Sequence, residues 1–188
     1  MISERLSNDS IEDACRLADE IYPPDDKASL ETKASVELRA SLSPGLFEDY
    51  SALTNITSLN YWVVRDKIGG RVLGFHGVAE VNDKYPLYDV KTDSDGKTAW
   101  GAYIAIDPNL DTFSKAMVFL RLQRLCLKFV MEKGYNRLKQ WTTSDPYYSR
   151  MNSFFEEHLT KVKEVFPSPF GERYKVFVYQ LEINNPSS

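Results

Sequence analysis

The stretch that decides the fold runs Tyr103-Ile104-Ala105-Ile106-Asp107-Pro108-Asn109-Leu110-Asp111-Thr112-Phe113-Ser114-Lys115-Ala116. Its apolar start predicts a buried strand, Pro108 leads into a short turn, and an apolar pattern then predicts a long, mostly buried helix over residues 113–133. At such a junction the first backbone N–H groups of the helix have no intrahelical partners and point towards the edge of the sheet. Unpaired donors and the positive end of the helix dipole together favour an anion, above all a phosphate.

The side chains of the first helical turn sharpen this prediction. Thr112, Ser114 and Ala116 are small and leave the backbone approachable. Lys115 lies where its charge opposes the helix dipole, a placement that a bound diphosphate would make favourable. The alternative is structural: Asp111 or Thr112 simply caps the helix, and Lys115 extends into solvent.

The rest of the chain surrounds this junction with further strands and helices. Apolar periodicity and turn signals predict strands at 2–6, 61–64, 72–81, 100–106, 137–142 and 174–183, helices at 11–21, 29–42 and 147–159, and a long hairpin loop at 82–98. Hairpins connect the strands in the middle of the chain, and strand-helix-strand crossovers connect those towards its end. The sequence therefore predicts an α/β fold with a mixed sheet of about six to seven strands and helices on both faces. It predicts one domain over residues 1–183, followed by a polar tail at 184–188.

Composition narrows the functional classes. The 188 residues include 23 Lys and Arg against 27 Asp and Glu, a net charge of −4, and these charges do not cluster into the basic patch that a nucleic-acid partner requires. No stretch is apolar for long enough to cross a membrane or to act as a signal peptide, so we expect a cytoplasmic protein without a membrane partner. Cys15 and Cys126 are expected to be buried, reduced thiols, and no spacing of His and Cys indicates a metal site.

The order of these motifs resembles a known superfamily. A strand ending in Ile106-Asp107-Pro108, a turn, a long helix, Lys133-Gly134-Tyr135, a strand and then Phe154-Phe155-Glu156-Glu157-His158-Leu159 resemble the GNAT superfamily of acyl-CoA N-acyltransferases. The resemblance spans nearly the whole chain in element order. It implies acetyl-CoA or another acyl-CoA as cofactor, and a small-molecule or peptide amine as substrate.

The resemblance also implies which residues contact the cofactor. The strand backbone of Tyr103, Ile104, Ala105 and Ile106 would bind the pantetheine arm, and the helix start Asp111, Thr112, Phe113, Ser114, Lys115 and Ala116 would bind the diphosphate. Three positions depart from the family pattern: Asp111 replaces a basic or amide residue, Ser114 a glycine, and Phe155 the tyrosine that is the family's usual acid. An acidic side chain beside a diphosphate would repel it.

Acyl transfer to an amine needs a base, donors for the developing oxyanion and an acid for the departing thiolate. Alternation on the strand 72–81 puts His76, Val78 and Glu80 on one face, so Glu80, with His76, is the candidate base. Tyr148, or Tyr147 beside it, is the candidate acid. The structural alternatives are that His76 is a hydrogen-bonded core residue and that Glu80 is a solvated carboxylate at a strand end. For the two tyrosines, the alternative is that they are amphipathic residues at a helix start.

Two functions from different classes remain open at this stage. The first is an N-acyltransferase, a monomer or homodimer, that transfers the acyl group directly to the amine. The second is a non-catalytic GNAT-like binding or regulatory domain with weak or lost affinity for CoA. Lys115, Ala116 and the strand-Pro-helix junction favour the enzyme, whereas Asp111, Thr112, Ser114 and Phe155 favour the binding domain.

Overall fold

The computed structural model of the chain describes residues 1–22, 34–81, 84–85, 90–91, 98–143, 149–158, 162–167 and 175–182. The strands in this part are β1 (Ile2–Arg5), β2 (Ile56–Arg65), β3 (Val72–Val81), β4 (Lys84–Tyr85), β5 (Val90–Lys91), β6 (Thr98–Ile106), β7 (Arg137–Thr143), β8 (Val162–Pro167) and β9 (Lys175–Glu182). The helices are α1 (Ile11–Ile21), α2 (Ala34–Ala40), α3 (Pro44–Leu53), α4 (Thr112–Glu132) and α5 (Ser149–His158).

Seven strands form one mixed sheet in the order β1-β2-β3-β6-β7-β9-β8. Neighbouring strands are antiparallel except β6 and β7, which are parallel because the helix α4 returns the chain between them. The short strands β4 and β5 pair with each other as a separate hairpin. The predicted mixed α/β sheet is confirmed.

Each face of the sheet packs against its own helices, as predicted. On one face, α1 and α2 close a core around Tyr61, Phe75, Trp100 and Tyr103. On the other, α4 packs on a second core, with buried residues at every fourth position: Val118, Leu122, Cys126 and Val130. The cysteines predicted as buried thiols, Cys15 and Cys126, are both buried and free.

Two local expectations were wrong. No helix was expected between residue 42 and β2, but Pro44 occupies the first turn of α3, a position where its missing N–H costs nothing because that group has no intrahelical acceptor. The helix α4 was expected to be mostly buried, yet Phe113 is 75% exposed and Leu120 49%. A helix on an open sheet buries only the stripe that faces the sheet, so apolar residues beyond this stripe stay exposed.

Candidate active site

The pairing of β6 with β7 ends partway along both strands, and we refer to the space between their unpaired edges as the cleft. The two strands pair only at their beginnings, through Thr98, Ala99 and Trp100 of β6. Beyond this point β6 continues to Ile106 paired with β3, while β7 continues along β9 as far as Thr143. Within the described residues, the two neighbouring strands thus make no backbone pairs from Gly101 onwards, and their facing edges in the middle of the sheet border the cleft.

A β-bulge in β6 lies at the start of this cleft. His76 of β3 pairs with Ile104 and Val78 with Gly101, so Ala102 and Tyr103 together stand opposite the single residue Gly77. Both of these consecutive residues lie in the core on the α1 face. A bulge turns backbone groups away from the regular ladder, and here it does so next to the point where β7 departs.

Side chains bind the backbone at this bulge. The amide of Tyr103 donates to the hydroxyl oxygen of Tyr61 over 3.1 Å, and its carbonyl lies 3.4 Å from Nδ1 of His76. The Tyr22 hydroxyl donates to the carbonyl of Ile104. Part of the backbone that the family resemblance assigns to pantetheine therefore has protein partners.

The first turn of α4 is capped by Asp111. Its carboxylate accepts from the amide of Ser114 over 2.9 Å and from the hydroxyl of Ser114 over 2.6 Å. These hydrogen bonds hold the pKa of Asp111 below its usual value. Asp111 therefore caps the helix, as the structural alternative stated. Its carboxylate occupies the Ser114 amide, one of the N–H groups that were expected to bind a phosphate.

Lys115 does not extend freely into solvent. Its ammonium donates to the carbonyl of Pro108 over 2.6 Å, which folds the side chain back over the turn that precedes α4. Beside this turn, the Asp107 carboxylate accepts from the Asn109 amide and from the half-exposed Arg71 guanidinium, over 2.8 and 3.0 Å. Two cations, Lys115 and Arg71, thus contact the segment that leads into the helix, and only the first of them was predicted.

His76 forms a bridge between three strands. It is fully buried, and burial lowers its pKa to about 4, so the ring is neutral near pH 7. With Nδ1 donating to Tyr103, Nε2 is left to accept from Gln140 Nε2 at 3.2 Å. The Gln140 side chain reaches across β6 because Gly101 has no Cβ; a Cβ there would lie 2.1 Å from Gln140 Oε1. Engagement of both nitrogens favours the structural interpretation of His76.

Glu80 lies on the same face as His76 and Val78, as alternation predicts, but it has a partner of its own. The Tyr135 hydroxyl, just beyond α4, lies beside its carboxylate; burial, followed by the negative charge of Glu80, raises the pKa of Tyr135 to about 12. The neighbouring Ala79 pairs with Trp100, at the end of the sheet away from the first turn of α4. The structure does not bring Glu80 and the helix start together.

The remaining predicted residues divide between the described and the undescribed parts of the chain. Tyr147 and Tyr148 lie outside the described residues. Phe155 is buried and packs between Phe119 and Tyr179, with ring centroids 6.0 and 5.3 Å away. The residue at the position of the family's usual acid is thus a core residue of α5.

A buried carboxylate, Glu37 on α2, was missed by the sequence analysis. It is 1% exposed and accepts hydrogen bonds from the hydroxyls of Tyr50, over 2.7 Å, and of Tyr61. Its burial raises its pKa to about 6. A signal was present, because Glu37 falls three residues after Ala34 and next to Leu38, on the apolar stripe of its helix.

Of three comparisons with known proteins, the one with solved structures shows the fold. No protein-family model matches the chain, and no curated protein matches it. Among solved structures, a GNAT-family protein from Desulfovibrio desulfuricans aligns at a TM-score of 0.65 and 12% identity, covering 97% of this chain and 99% of that one. An aminoglycoside 6'-N-acetyltransferase from Enterococcus faecium aligns at 0.62 and 12%, and another complexed with coenzyme A at 0.58 and 12%, each covering 100% of both chains.

The chain has the GNAT fold. This confirms the fold that the resemblance of the sequence implied. At 12% identity the alignment shows a shared fold and does not transfer a substrate. Two further observations concern the described part of the chain: no helix there is long and apolar enough to span a membrane, and no group of three His, Cys, Asp or Glu could hold a metal ion.

Proposed function

We propose that this GNAT-fold protein is an acyl-CoA dependent N-acyltransferase, with acetyl-CoA as donor, that transfers the acyl group directly to the amine of a small molecule or peptide. The observation that carries the proposal is the cleft between β6 and β7, which opens beside the bulge at Tyr103 and lies along the strand that leads to the first turn of α4. The named activity of the aminoglycoside acetyltransferases with this fold favours a small-molecule amine.

The residues of the cleft fit the pantetheine part of the cofactor. Thr142 lies on β7 beyond the last β6–β7 pair, its side chain is 1% exposed, and its hydroxyl has no hydrogen-bond partner among the described residues. A buried hydroxyl without a partner costs free energy. Pantetheine carries amide groups that would satisfy such a hydroxyl, and Ala105 and Ile106 would supply backbone groups on the opposite wall.

The residues of the helix start fit the diphosphate once the Asp111 side chain turns away. Asp111 is exposed, so its carboxylate can leave the Ser114 amide for water. The Phe113 and Ser114 amides, together with the Lys115 ammonium, would then hold the phosphates, whereas the Lys115 amide already donates to the Asp111 carbonyl over 2.9 Å within the helix. When bound, acyl-CoA supplies the acyl group as an activated thioester.

The chain's own contribution is chiefly positioning. We propose that the walls of the cleft hold the amine against the thioester carbonyl and that backbone amides stabilise the oxyanion. Glu80 keeps the role of candidate base, since its carboxylate is partly exposed, and Tyr148 that of candidate acid. A thiolate leaves without strong help from an acid, so Phe155 does not exclude the reaction. We further expect a cytoplasmic monomer or homodimer.

The second candidate function is a non-catalytic GNAT-like binding or regulatory domain. The specific observation in its favour is the Asp111 carboxylate on the first-turn amide of α4, together with the buried Phe155. Calorimetric titration with acetyl-CoA and with free CoA separates the two functions. The enzyme is expected to bind both at micromolar concentrations, whereas absence of heat and of thermal stabilisation at millimolar cofactor would contradict it.

A further inference from the structure

Glu37 is connected to the bulge of β6 through one tyrosine. The Tyr61 hydroxyl donates to the Glu37 carboxylate, and the oxygen of the same hydroxyl accepts from the Tyr103 amide over 3.1 Å. Tyr50 of α3 donates to the other carboxylate oxygen over 2.7 Å. None of these four side chains is more than 4% exposed. A buried network thus joins α2 and α3 to the strand that borders the cleft.

The charge on Glu37 fixes the direction of these hydrogen bonds. An ionised carboxylate can only accept, so both tyrosine O–H groups must point towards it. With its hydrogen committed to Glu37, Tyr61 presents an oxygen lone pair to the Tyr103 amide. A protonated Glu37 would have to donate to one of the tyrosine oxygens, and the O–H of that tyrosine would then turn away from the carboxylate.

The sequence provides a path for this connection. Tyr61 lies on β2 and Tyr103 on β6, with β3 between them. The Tyr61 ring crosses β3 over Gly77, where a Cβ would lie 2.6 Å from the ring. Gly77 is also the residue opposite the bulge. The tyrosine therefore reaches the bulge at the position where the intervening strand has no side chain.

We propose that Glu37 is a positioning residue for acyl transfer, acting through Tyr61 on the amide of Tyr103 and hence on the backbone of the β6 bulge. The proposal rests on the acyltransferase function proposed above. Glu37 touches neither amine nor thioester. It holds one wall of the cleft in a single hydrogen-bonded arrangement, and protonation of the carboxylate loosens that arrangement.

The surroundings of Glu37 place its protonation near neutral pH. Burial raises its pKa to about 6, and the titratable groups that face it are Tyr50 from α3 and Tyr61 from β2, which both donate to it. Arg39 on the same helix pairs instead with Glu12 at the surface, at 2.6 Å. On the α1 side, Cys15 donates to a backbone carbonyl of α2. The charge state of Glu37 is thus set by burial and two hydroxyls.

Two matched variants test the coupling. Tyr61→Phe and Tyr50→Phe each remove one hydroxyl from the same carboxylate, but it is the Tyr61 hydroxyl that accepts from the Tyr103 amide of β6. In the full-length ¹⁵N-labelled protein, we expect Tyr61→Phe to accelerate hydrogen exchange of the Tyr103 amide roughly tenfold more than Tyr50→Phe does. With acetyl-CoA and an accepted amine, kcat should fall roughly tenfold further in Tyr61→Phe than in Tyr50→Phe, with little change in KM for acetyl-CoA.

A pH series with a neutral isostere completes the experiment. In the wild type, the Tyr103 amide shift and kcat should both change with a midpoint near pH 6, and in Glu37→Gln neither should show that midpoint. Equal amide exchange in the two phenylalanine variants, or a pH response that survives in Glu37→Gln, contradicts the coupling whether or not the protein is active. A wild type that shows the amide responses but transfers no acyl group contradicts the proposed function, and with it the role of Glu37 in catalysis, but not its coupling to Tyr103.

Discussion

The Tyr61 hydroxyl lies 3.1 Å from the backbone nitrogen of Tyr103, two strands away across the sheet. The contact joins the core under α2 to the only break in register between β3 and β6 in the described structure. It exists because the aromatic ring passes over Gly77. A glycine in the middle of a buried strand normally weakens it, so its presence here indicates a close approach that a side chain would block.

Substitution of Gly77 by alanine should disrupt this contact. The added Cβ would meet the Tyr61 ring at 2.6 Å, and a ring packed in a buried core can yield only by displacing its neighbours. We expect the free energy of unfolding to fall by about 1–3 kcal/mol, the usual cost of overpacking, with faster exchange of the Tyr103 amide. Urea denaturation and hydrogen exchange measure the two effects.

Gly45→Ala is the matched control for that substitution. A Cβ at Gly45 meets nothing within 4 Å, and the residue lies in the helix α3. Because alanine favours a helix over glycine, this variant should gain up to about 1 kcal/mol of stability. A Gly77→Ala protein as stable as the wild type would show that the Tyr61 ring is not confined over β3.

Asp111→Asn separates the two effects of the Asp111 side chain. Asparagine caps a helix about as well as aspartate, so the first turn of α4 should persist, while the negative charge beside the phosphate-binding amides is removed. We expect affinity for CoA to rise severalfold, more at low salt than at high salt, because the charges are exposed. Isothermal titration at two salt concentrations provides the measurement.

Asp111→Ala is the comparison for this prediction. It removes both the charge and the cap, so it should lower thermal stability and still strengthen CoA binding. Unchanged affinity in both variants would mean that the Asp111 carboxylate does not compete with the cofactor, and the non-catalytic alternative would lose its main support.

Lys115→Glu should weaken CoA binding roughly tenfold, since a contributing cation is replaced by an anion at the helix start. Lys115 contacts the Pro108 carbonyl, whereas Lys133, at the other end of α4, lies 5.7 Å from the Phe129 ring. Lys133→Glu makes the same change in net charge at that distant position and should leave the affinity nearly unchanged. Equal losses of CoA affinity in both variants would mean that Lys115 acts only through the net charge of the protein.

These predictions depend on features that the sequence revealed to different degrees. The strand β6 and the helix α4 were predictable because long apolar runs with distinct periods leave few alternatives. The GNAT order of elements was visible for the same reason. Asp111 as a cap was among the stated alternatives, since an acidic residue just before a helix has a local hydrogen bond available. What was predictable thus depended on neighbours in sequence.

The bulge and its partners were not predictable in this way. Ala102 and Tyr103 are both apolar, so inserting one residue into the register leaves no trace in the pattern. Glu37 and Tyr61 meet only because α2 packs over β2, 24 residues further along the chain. His76 and Glu80 were correctly placed on one face, but their partners Gln140 and Tyr135 come from elements more than 50 residues away. Tertiary contacts therefore decide which candidate side chains remain available for chemistry.

Glu37→Gln should change how stability depends on pH. An acid whose pKa is raised by folding, here from 4.5 to about 6, binds a proton more tightly in the folded state. The folded state is thus favoured at low pH, and this advantage is lost as pH rises from 4.5 to 6, with a total near 2 kcal/mol. Urea titrations at pH 4 and pH 7 measure the unfolding free energies of Glu37→Gln and of the wild type. The variant should gain about 2 kcal/mol relative to the wild type between pH 4 and pH 7. A constant difference would mean that Glu37 titrates normally.

His76→Gln should produce the opposite dependence. Folding lowers the pKa of His76 from 6.5 to about 4, so the unfolded chain takes up its proton first as pH falls. The stability that His76 provides is complete above pH 6.5 and is lost between 6.5 and 4, roughly 3 kcal/mol in all. Relative to His76→Gln, the wild type should lose about that much stability between pH 7 and 4 in the same urea titrations. Between pH 4.5 and 6 the slopes of His76 and Glu37 oppose each other, so only the two single variants, and not the wild-type curve, reveal them. If the unfolding free energies of the wild type and of His76→Gln changed equally between pH 7 and 4, the imidazole would gain its proton without breaking the bridge between Tyr103 and Gln140.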